Sequence, residues 1–337
     1  ICFILAFIST LIVKKLAVSF NIVDKPNERK IHTKPIPLLG GVSIFLAFII
    51  GIIFFAIEYN HQNIFFNKQY LVILISALFI HIVGIIDDIK QLSPRVKLIC
   101  QIIAGVAIIF LADIRTDLFI DNELVNNIIT LFWIIIITNS FNLLDNMDGL
   151  SCGTAIICAL IFFIISINQG QYYLAAICLA LAAAGLGFLP FNYNPASIFM
   201  GDGGSLFLGF MLSIISVSGT YIQYSLLSKL PILTPIFVLF IPLYDTLSVI
   251  IIRYKLGISI FKADKRHFSH RLVNLGIKPK FAVLIIYMAT ISTGITATLL
   301  PKLKLIEALI ILIHTFMVFG IIAILEWFGF KRNEPNL

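Results

Sequence analysis

A chain of 337 residues that is 60% hydrophobic and only 12% charged, with a formal net charge of +7 and a mean hydropathy of +1.04, is too apolar for a soluble globule, in which about a quarter of residues are charged. The composition excludes a soluble domain and defines a polytopic membrane protein. Five cysteines, Cys2, Cys100, Cys152, Cys158 and Cys178, lie in or beside apolar runs with no C-x-x-C pair. Neither a disulfide framework nor a zinc site is expected from them, and they read as small buried hydrophobes.

The first apolar run, Ile1 to Val13, is followed by Lys14 and Lys15 and has no small-residue cleavage site, so it reads as a first span and not as a signal peptide. The chain begins with Ile and not Met, which leaves this span open to truncation. Runs long enough to cross a hydrocarbon core of about 30 Å lie near 1–20, 38–57, 70–86, 95–112, 124–139, 151–168, 172–190, 203–220, 230–253, 281–300 and 305–328, eleven in all. The expected fold is therefore an all-α bundle of about eleven transmembrane helices. No repeat or linker divides it, so residues 1–337 are expected to form a single membrane-embedded domain. Pro231, Pro235 and Pro242 predict a kinked or broken ninth helix. Asp245, about a turn further on, belongs on a cavity side, because an unpartnered carboxylate in lipid is costly.

Alternating the connections and counting basic residues places nineteen of the 24 Lys and Arg on one side and five (Lys68, Arg115, Lys229, Lys302, Lys304) on the other. The positive-inside rule makes the first side cytoplasmic, with the C-terminus inside and the N-terminus outside. Nearly every unusual polar cluster falls on that same side. They are Asp24 to His32 with Pro35 to Gly41, Asp87-Asp88-Ile-Lys90 with Lys97 and Gln101, Asn139 to Leu150, Phe191 to Pro195 with Phe199 to Ser205, and Asp264 to Leu272.

Each cluster has its own chemistry. Asn139, Asn142, Asp145 and Asp148 recur every third residue, a series that sweeps partway round a helix and would line a pocket; a capped helix end followed by a turn at Asp148-Gly149 would produce the same pattern. Asp87 and Asp88 point roughly 100° apart on a helix, so both reach one cation only at a frayed end. Mg²⁺ takes oxygen ligands and is usually held by one or two carboxylates plus substrate phosphates, and Lys90 and Lys97 supply point charges for phosphate. Met200-Gly-Asp-Gly-Gly-Ser205 opens the eighth span with glycines that let backbone N–H groups approach an anion. His267, His270 and Arg271 are donors suited to a diphosphate, although a basic loop is equally what a solvated face looks like. Together they predict phosphoryl transfer between a soluble substrate and one held in lipid, run by positioning and electrostatics. A transporter or flippase of a phosphorylated solute and a lipid phosphatase are the rival readings. Against the first stands the gathering of polar clusters at one face instead of mid-membrane.

In these motifs, from Asp24 to about Leu272, the sequence resembles the polyprenyl-phosphate N-acetylhexosamine-1-phosphate transferases of glycosyltransferase family 4. The motifs are Lys30-Ile-His32 with Pro37 to Gly41, Asp87-Asp88-Ile-Lys90 with Lys97 and Gln101, Asn142 to Leu150, Phe191-Asn192 to Pro195 with Phe199-Met-Gly-Asp202 to Leu206, and His267 to Leu272. The resemblance implies transfer of a sugar 1-phosphate from a UDP-HexNAc donor to a polyprenyl phosphate in the bilayer. Mg²⁺ is the implied cofactor, with Mn²⁺ as a substitute, and UMP is the by-product. It implies the lipid-linked first step of cell-envelope polysaccharide synthesis, no nucleic-acid partner, and leaves a homodimer open. Carried over by position, Asp202 matches the metal ligand, and Asp87 the carboxylate that deprotonates the lipid phosphate or, in a two-step scheme, attacks the donor. Asp88 would hold metal or diphosphate. Asp145, Asp148 and Asn192 match positions near the nucleotide, Phe199 an aromatic beside the uracil, and His267, His270 and Arg271 would contact diphosphate or sugar; Asn139 and Asn142, in the same stretch, and Lys90 and Lys97, by their charge, complete the expected substrate-binding set. The family's last loop often reads His-x-His-His, but Ser269 stands at the middle histidine here. The Asn-Leu-Leu-Asp-Asn-Met-Asp-Gly and His-Phe-Ser-His-Arg-Leu forms look more like the WecA and TagO branch than MraY. A short-sugar donor, UDP-GlcNAc or another UDP-HexNAc, is therefore expected over UDP-MurNAc-pentapeptide.

Overall fold

The computed structural model describes residues 1–24, 35–58, 68–116, 121–219, 221, 230–259, 266–300 and 303–333. The Lys30-Ile-His32 motif, and Asp264 and Lys265 of the last loop, lie outside the described residues. The chain divides into two compact units, Ile1–Gly219 and Thr220–Leu337.

The first unit is built from α1 (Cys2–Ser19), α2 (Gly40–Glu58), α3 (Lys68–Lys90), α4 (Pro94–Leu111), α5 (Glu123–Leu144), α6 (Leu150–Asn168), α7 (Tyr172–Asn192) and α8 (Gly201–Ser218). Each is long and apolar enough to cross a membrane. Local signals set their starts. Ser93 caps α4 by accepting from the Val96 N–H, with Pro94 in the first helical position, and Asn122 caps α5 by accepting from the Val125 N–H. Hydroxyls inside the bundle turn back on their own helices: Thr130, Thr138 and Ser140 each donate to the carbonyl four residues earlier. That removes a polar group which neither lipid nor core could satisfy. Large side chains such as Phe110, Ile128 and Phe132 are exposed on the outer faces, as expected of a lipid-facing surface.

Within this unit α8 is the most enclosed helix, every residue from Gly203 to Ser216 being buried, and α2, α3, α5 and α6 pack around it. A two-residue antiparallel pair, β1 (Val23–Asp24) with β2 (Ile36–Pro37), is the sole sheet among the described residues. It hands the chain to Pro37, whose carbonyl accepts from the Phe199 N–H, while the Gly40 and Gly41 N–H groups donate to Phe199 and Met200. The Pro37 to Gly41 motif thus runs beside the loop that leads into α8.

The second unit contains a 3₁₀ turn (Leu230–Leu233), α9 (Thr234–Val238), α10 (Phe240–Lys255), α11 (Phe268–Asn274), α12 (Pro279–Leu299) and α13 (Leu305–Asn333). The predicted broken helix is present, as segments Leu230–Val238 and Phe240–Lys255 meet at 73°. Among the described residues ten helices qualify as spans, or eleven when the bent pair is counted as one. The protein is an all-α, multi-pass membrane protein.

Candidate active site

The C-terminal ends of α3 and α5 and the N-terminal ends of α4 and α8 come together in the first unit, and they carry the charged residues. Lys97, one turn into α4, places its ammonium 2.6 Å from Asp87 Oδ2 and 3.0 Å from Asp202 Oδ2. The second Asp87 oxygen accepts the Leu92 N–H at 2.6 Å. Asp202 Oδ1 accepts from Asn142 Nδ2 at 3.0 Å, and the same amide also reaches Ser205 Oγ at 2.9 Å. Asp87 is 8% exposed and Asp202 30% exposed.

Asp88 points elsewhere, as the 100° step between neighbours requires. Its two oxygens accept the Asp202 N–H at 2.7 Å and the Gly203 N–H at 3.1 Å. The helix N-terminus expected to meet a phosphate is therefore met by this protein's own carboxylate, which satisfies two orphan donors and complements the helix dipole. Gly201, at φ 73°, is needed there twice over: the backbone is left-handed, and a Cβ would run into the Asp88 carboxylate.

Asp145 ends α5 at the edge of the cluster. Burial, and then the charges of Asp202, Asp88 and Asp148, hold its carboxyl well above the usual carboxylate range. Asp148 Oδ2 accepts from Asn194 Nδ2 and the Ala196 N–H, both at 3.0 Å. Asn192, 2% exposed, accepts the Gly149 N–H and donates to the Ile198 carbonyl. These contacts staple the 145–149 loop to the 193–199 loop; Phe199 is half-buried in the latter.

Asn139 forms a reciprocal amide pair with Gln101, its Nδ2 lying 2.6 Å from Gln101 Oε1, a tie between α4 and α5. Lys90 is exposed at the end of α3. His267, His270 and Arg271 belong to the second unit. There His267 Nδ1 lies 2.8 Å from Asp245 Oδ2, and the other Asp245 oxygen accepts the Phe268 N–H. Arg271 donates to Ser248 Oγ and to the Arg266 carbonyl, and lies over the Tyr244 and Phe268 rings. Asp245, fully buried, was placed on a cavity side by its position in an apolar helix, but its pairing with His267 across 22 residues had no local signal.

The donor set suits a hard cation. Among the described residues no three His, Cys, Asp or Glu side chains are grouped to hold an ion. Mg²⁺, however, needs only one or two protein carboxylates when phosphates complete its shell. Asp87 and Asp202 already converge on a cationic group, the Lys97 ammonium.

Carboxylates and a lysine gathered at one end of a bundle of apolar helices define an integral membrane protein with a cluster of charged side chains at the helix ends. Residues 70–220 match the model of glycosyl transferase family 4. A probable undecaprenyl-phosphate N-acetylglucosaminyl 1-phosphate transferase of Bacillus subtilis is 34% identical over 325 residues, covering 94% of this chain and 87% of the relative. A decaprenyl-phosphate N-acetylglucosaminephosphotransferase of Mycobacterium tuberculosis is 32% identical, covering 85% and 77%. An undecaprenyl-phosphate alpha-N-acetylglucosaminyl 1-phosphate transferase of Yersinia pestis is 28% identical, covering 92% and 86%. The chain belongs to glycosyl transferase family 4, in its WecA/TagO-like branch.

Proposed function

We propose that this protein transfers N-acetylglucosamine 1-phosphate from UDP-GlcNAc to a polyprenyl phosphate, releasing UMP. The observation that carries the reading is the Asp87–Lys97–Asp202 bridge in a chain whose relatives are named for that transfer along most of their length. An oxygen of the lipid phosphate attacks the β-phosphorus of the donor. A new P–O–P bond forms, the bond from the β-phosphorus to the bridging oxygen breaks, and UMP departs with that oxygen. Asp87, held by Lys97 and the Leu92 N–H, is oriented to take a proton from the lipid phosphate. Lys97 supplies fixed positive charge, and Asn142 orients Asp202. Asp202 would hold Mg²⁺, whose contribution would be to spread charge on the departing UMP, while Asp88, expected to share that role, is spent on the Asp202 and Gly203 N–H groups. Asp145, Asp148 and Asn192 shape the nucleotide side with Phe199; in the second unit, His267, His270 and Arg271 are donors of the kind that suit a diphosphate or sugar.

The surplus of basic residues on one set of loops supports placing the reaction at the cytoplasmic face with the C-terminus inside. The direct test is UMP release by the purified protein in detergent with polyprenyl phosphate. Release is expected with UDP-GlcNAc and Mg²⁺ or Mn²⁺, and is lost with chelator. Absence of release with every UDP-HexNAc tried would overturn the reading.

In the second unit, Asp245→Asn should act through His267. An asparagine can still accept the Phe268 N–H, but it would turn its amide N–H toward His267 Nδ1 and force the other tautomer. Turnover is expected to fall at least about tenfold. The Asp245→Asn/His267→Gln double variant should be no worse than His267→Gln alone, the mark of two residues acting as one. Additive losses would separate them.

A further inference from the structure

We propose that His81 is a positioning residue of the transfer reaction, fixing the first turn of α8, and with it the direction of the Asp202 carboxylate, through a ring N–H held on the Gly203 carbonyl. The inference rests on the reading of Asp202 as a reaction-centre carboxylate.

His81 lies within α3, 3% exposed, where an imidazole is a costly choice unless its polar atoms are bonded. Its Nδ1 is 2.8 Å from the Gly203 carbonyl oxygen. A carbonyl only accepts, so Nδ1 carries the hydrogen. The ring is itself clamped, stacked on Phe45 with centroids 4.4 Å apart and planes 8° off parallel, and edge-on to Phe207. Aromatic packing alone would be met by phenylalanine; the donor is what histidine adds.

The rest of the same helix face makes this contact one half of a grip. His81, Gly84, Ile85 and Asp88 follow the i, i+3, i+4, i+7 spacing of one stripe, and the stripe meets Gly201 to Gly203. Gly84 leaves room for the Asp202 carbonyl, with which a Cβ would collide, and Ile85 lies beside Gly203. Asp88 takes the Asp202 and Gly203 N–H groups while His81 takes the Gly203 C=O. The backbone carrying Asp202 is thus held on its donor side and its acceptor side by one rigid helix, which leaves the Asp202 side chain aimed at Lys97 and Asn142. Losing half of that grip misplaces a reacting group by a fraction of an ångström, which lowers turnover more than substrate binding.

Three substitutions at one position test this. In His81→Asn the amide nitrogen falls near the place of Nδ1 and can donate to Gly203. In His81→Gln the same amide is one carbon too far out, and His81→Phe keeps the stacking without a donor. The expected result is a fall in kcat of about tenfold or more for the Gln and Phe variants, with KM for UDP-GlcNAc within about threefold of wild type, and recovery of most of that loss in the Asn variant. Hydrogen–deuterium exchange gives a readout independent of activity: a peptide spanning residues 199–207 should exchange faster in the Gln and Phe variants than in wild type or the Asn variant. Equal kcat in the Asn and Gln variants, or wild-type exchange in the Phe variant, would overturn the proposal. A wild-type protein inactive with every donor would instead count against the proposed function, and the exchange comparison would still decide whether the grip exists.

Discussion

Asp202→Asn should lower kcat and kcat/KM together by about 100- to 1,000-fold, the size of losing one preorganised electrostatic contact at a reacting phosphate. The substitution is nearly isosteric, and an asparagine oxygen can still accept from one of the two donors, Asn142 or Lys97, while its amide nitrogen faces the other. What is lost is a negative charge. Asp202 belongs to a crowded group in which its own charge is one reason that the Asp145 carboxyl is held above its usual range. Removing it relieves repulsion, so the melting temperature in detergent should match or exceed that of wild type. Wild-type turnover in this variant would take Asp202 out of the site.

Lys97→Met should also lower turnover by about 100-fold or more, but with the opposite effect on stability. Lys97 is the shared cation of Asp87 and Asp202, and without it two carboxylates face each other across a partly closed space. Removing one partner from a fully buried pair costs about 3–5 kcal/mol. Here Lys97 is 21% and Asp202 30% exposed, so water and counterions reduce the loss to about 1–3 kcal/mol. A lowered melting temperature is therefore expected, and millimolar Mg²⁺ should raise it more in this variant than in wild type, since an added cation replaces the missing one. Arg would keep the charge but not the compact ammonium, so Lys97→Arg is expected to recover stability better than activity. Wild-type melting together with wild-type turnover in Lys97→Met would contradict the bridge.

Much of this architecture was legible because lipid imposes simple rules. Apolar runs set the helices, and three prolines between Pro231 and Pro242 marked the helix that breaks at Leu239. The charge cluster was also legible, since carboxylates and amides at the ends of apolar runs have few reasons to be there. Partners were harder to read. Asp87 and Asp88 are neighbours in sequence yet serve different elements, one tied to Lys97 and the other capping α8. Asn139 reads as one of a series with Asn142, but it is spent on Gln101. The deciding contacts span from 10 to 114 residues and join different helices, so they depend on helix rotation, which spacing along one segment does not encode. His81 was not among the expected site residues, although a lone imidazole in an apolar run is a signal worth weight in any membrane chain. Its meaning came only with Gly203 at 2.8 Å.

The central claim is that the β-phosphorus of the donor moves to the lipid. Purified protein given polyprenyl phosphate and UDP-GlcNAc radiolabelled at that phosphorus, with Mg²⁺, is predicted to place the label in a lipid-soluble diphosphate sugar while unlabelled UMP accumulates. Label retained in the water-soluble fraction, as intact donor, UDP or free phosphate, would contradict the account.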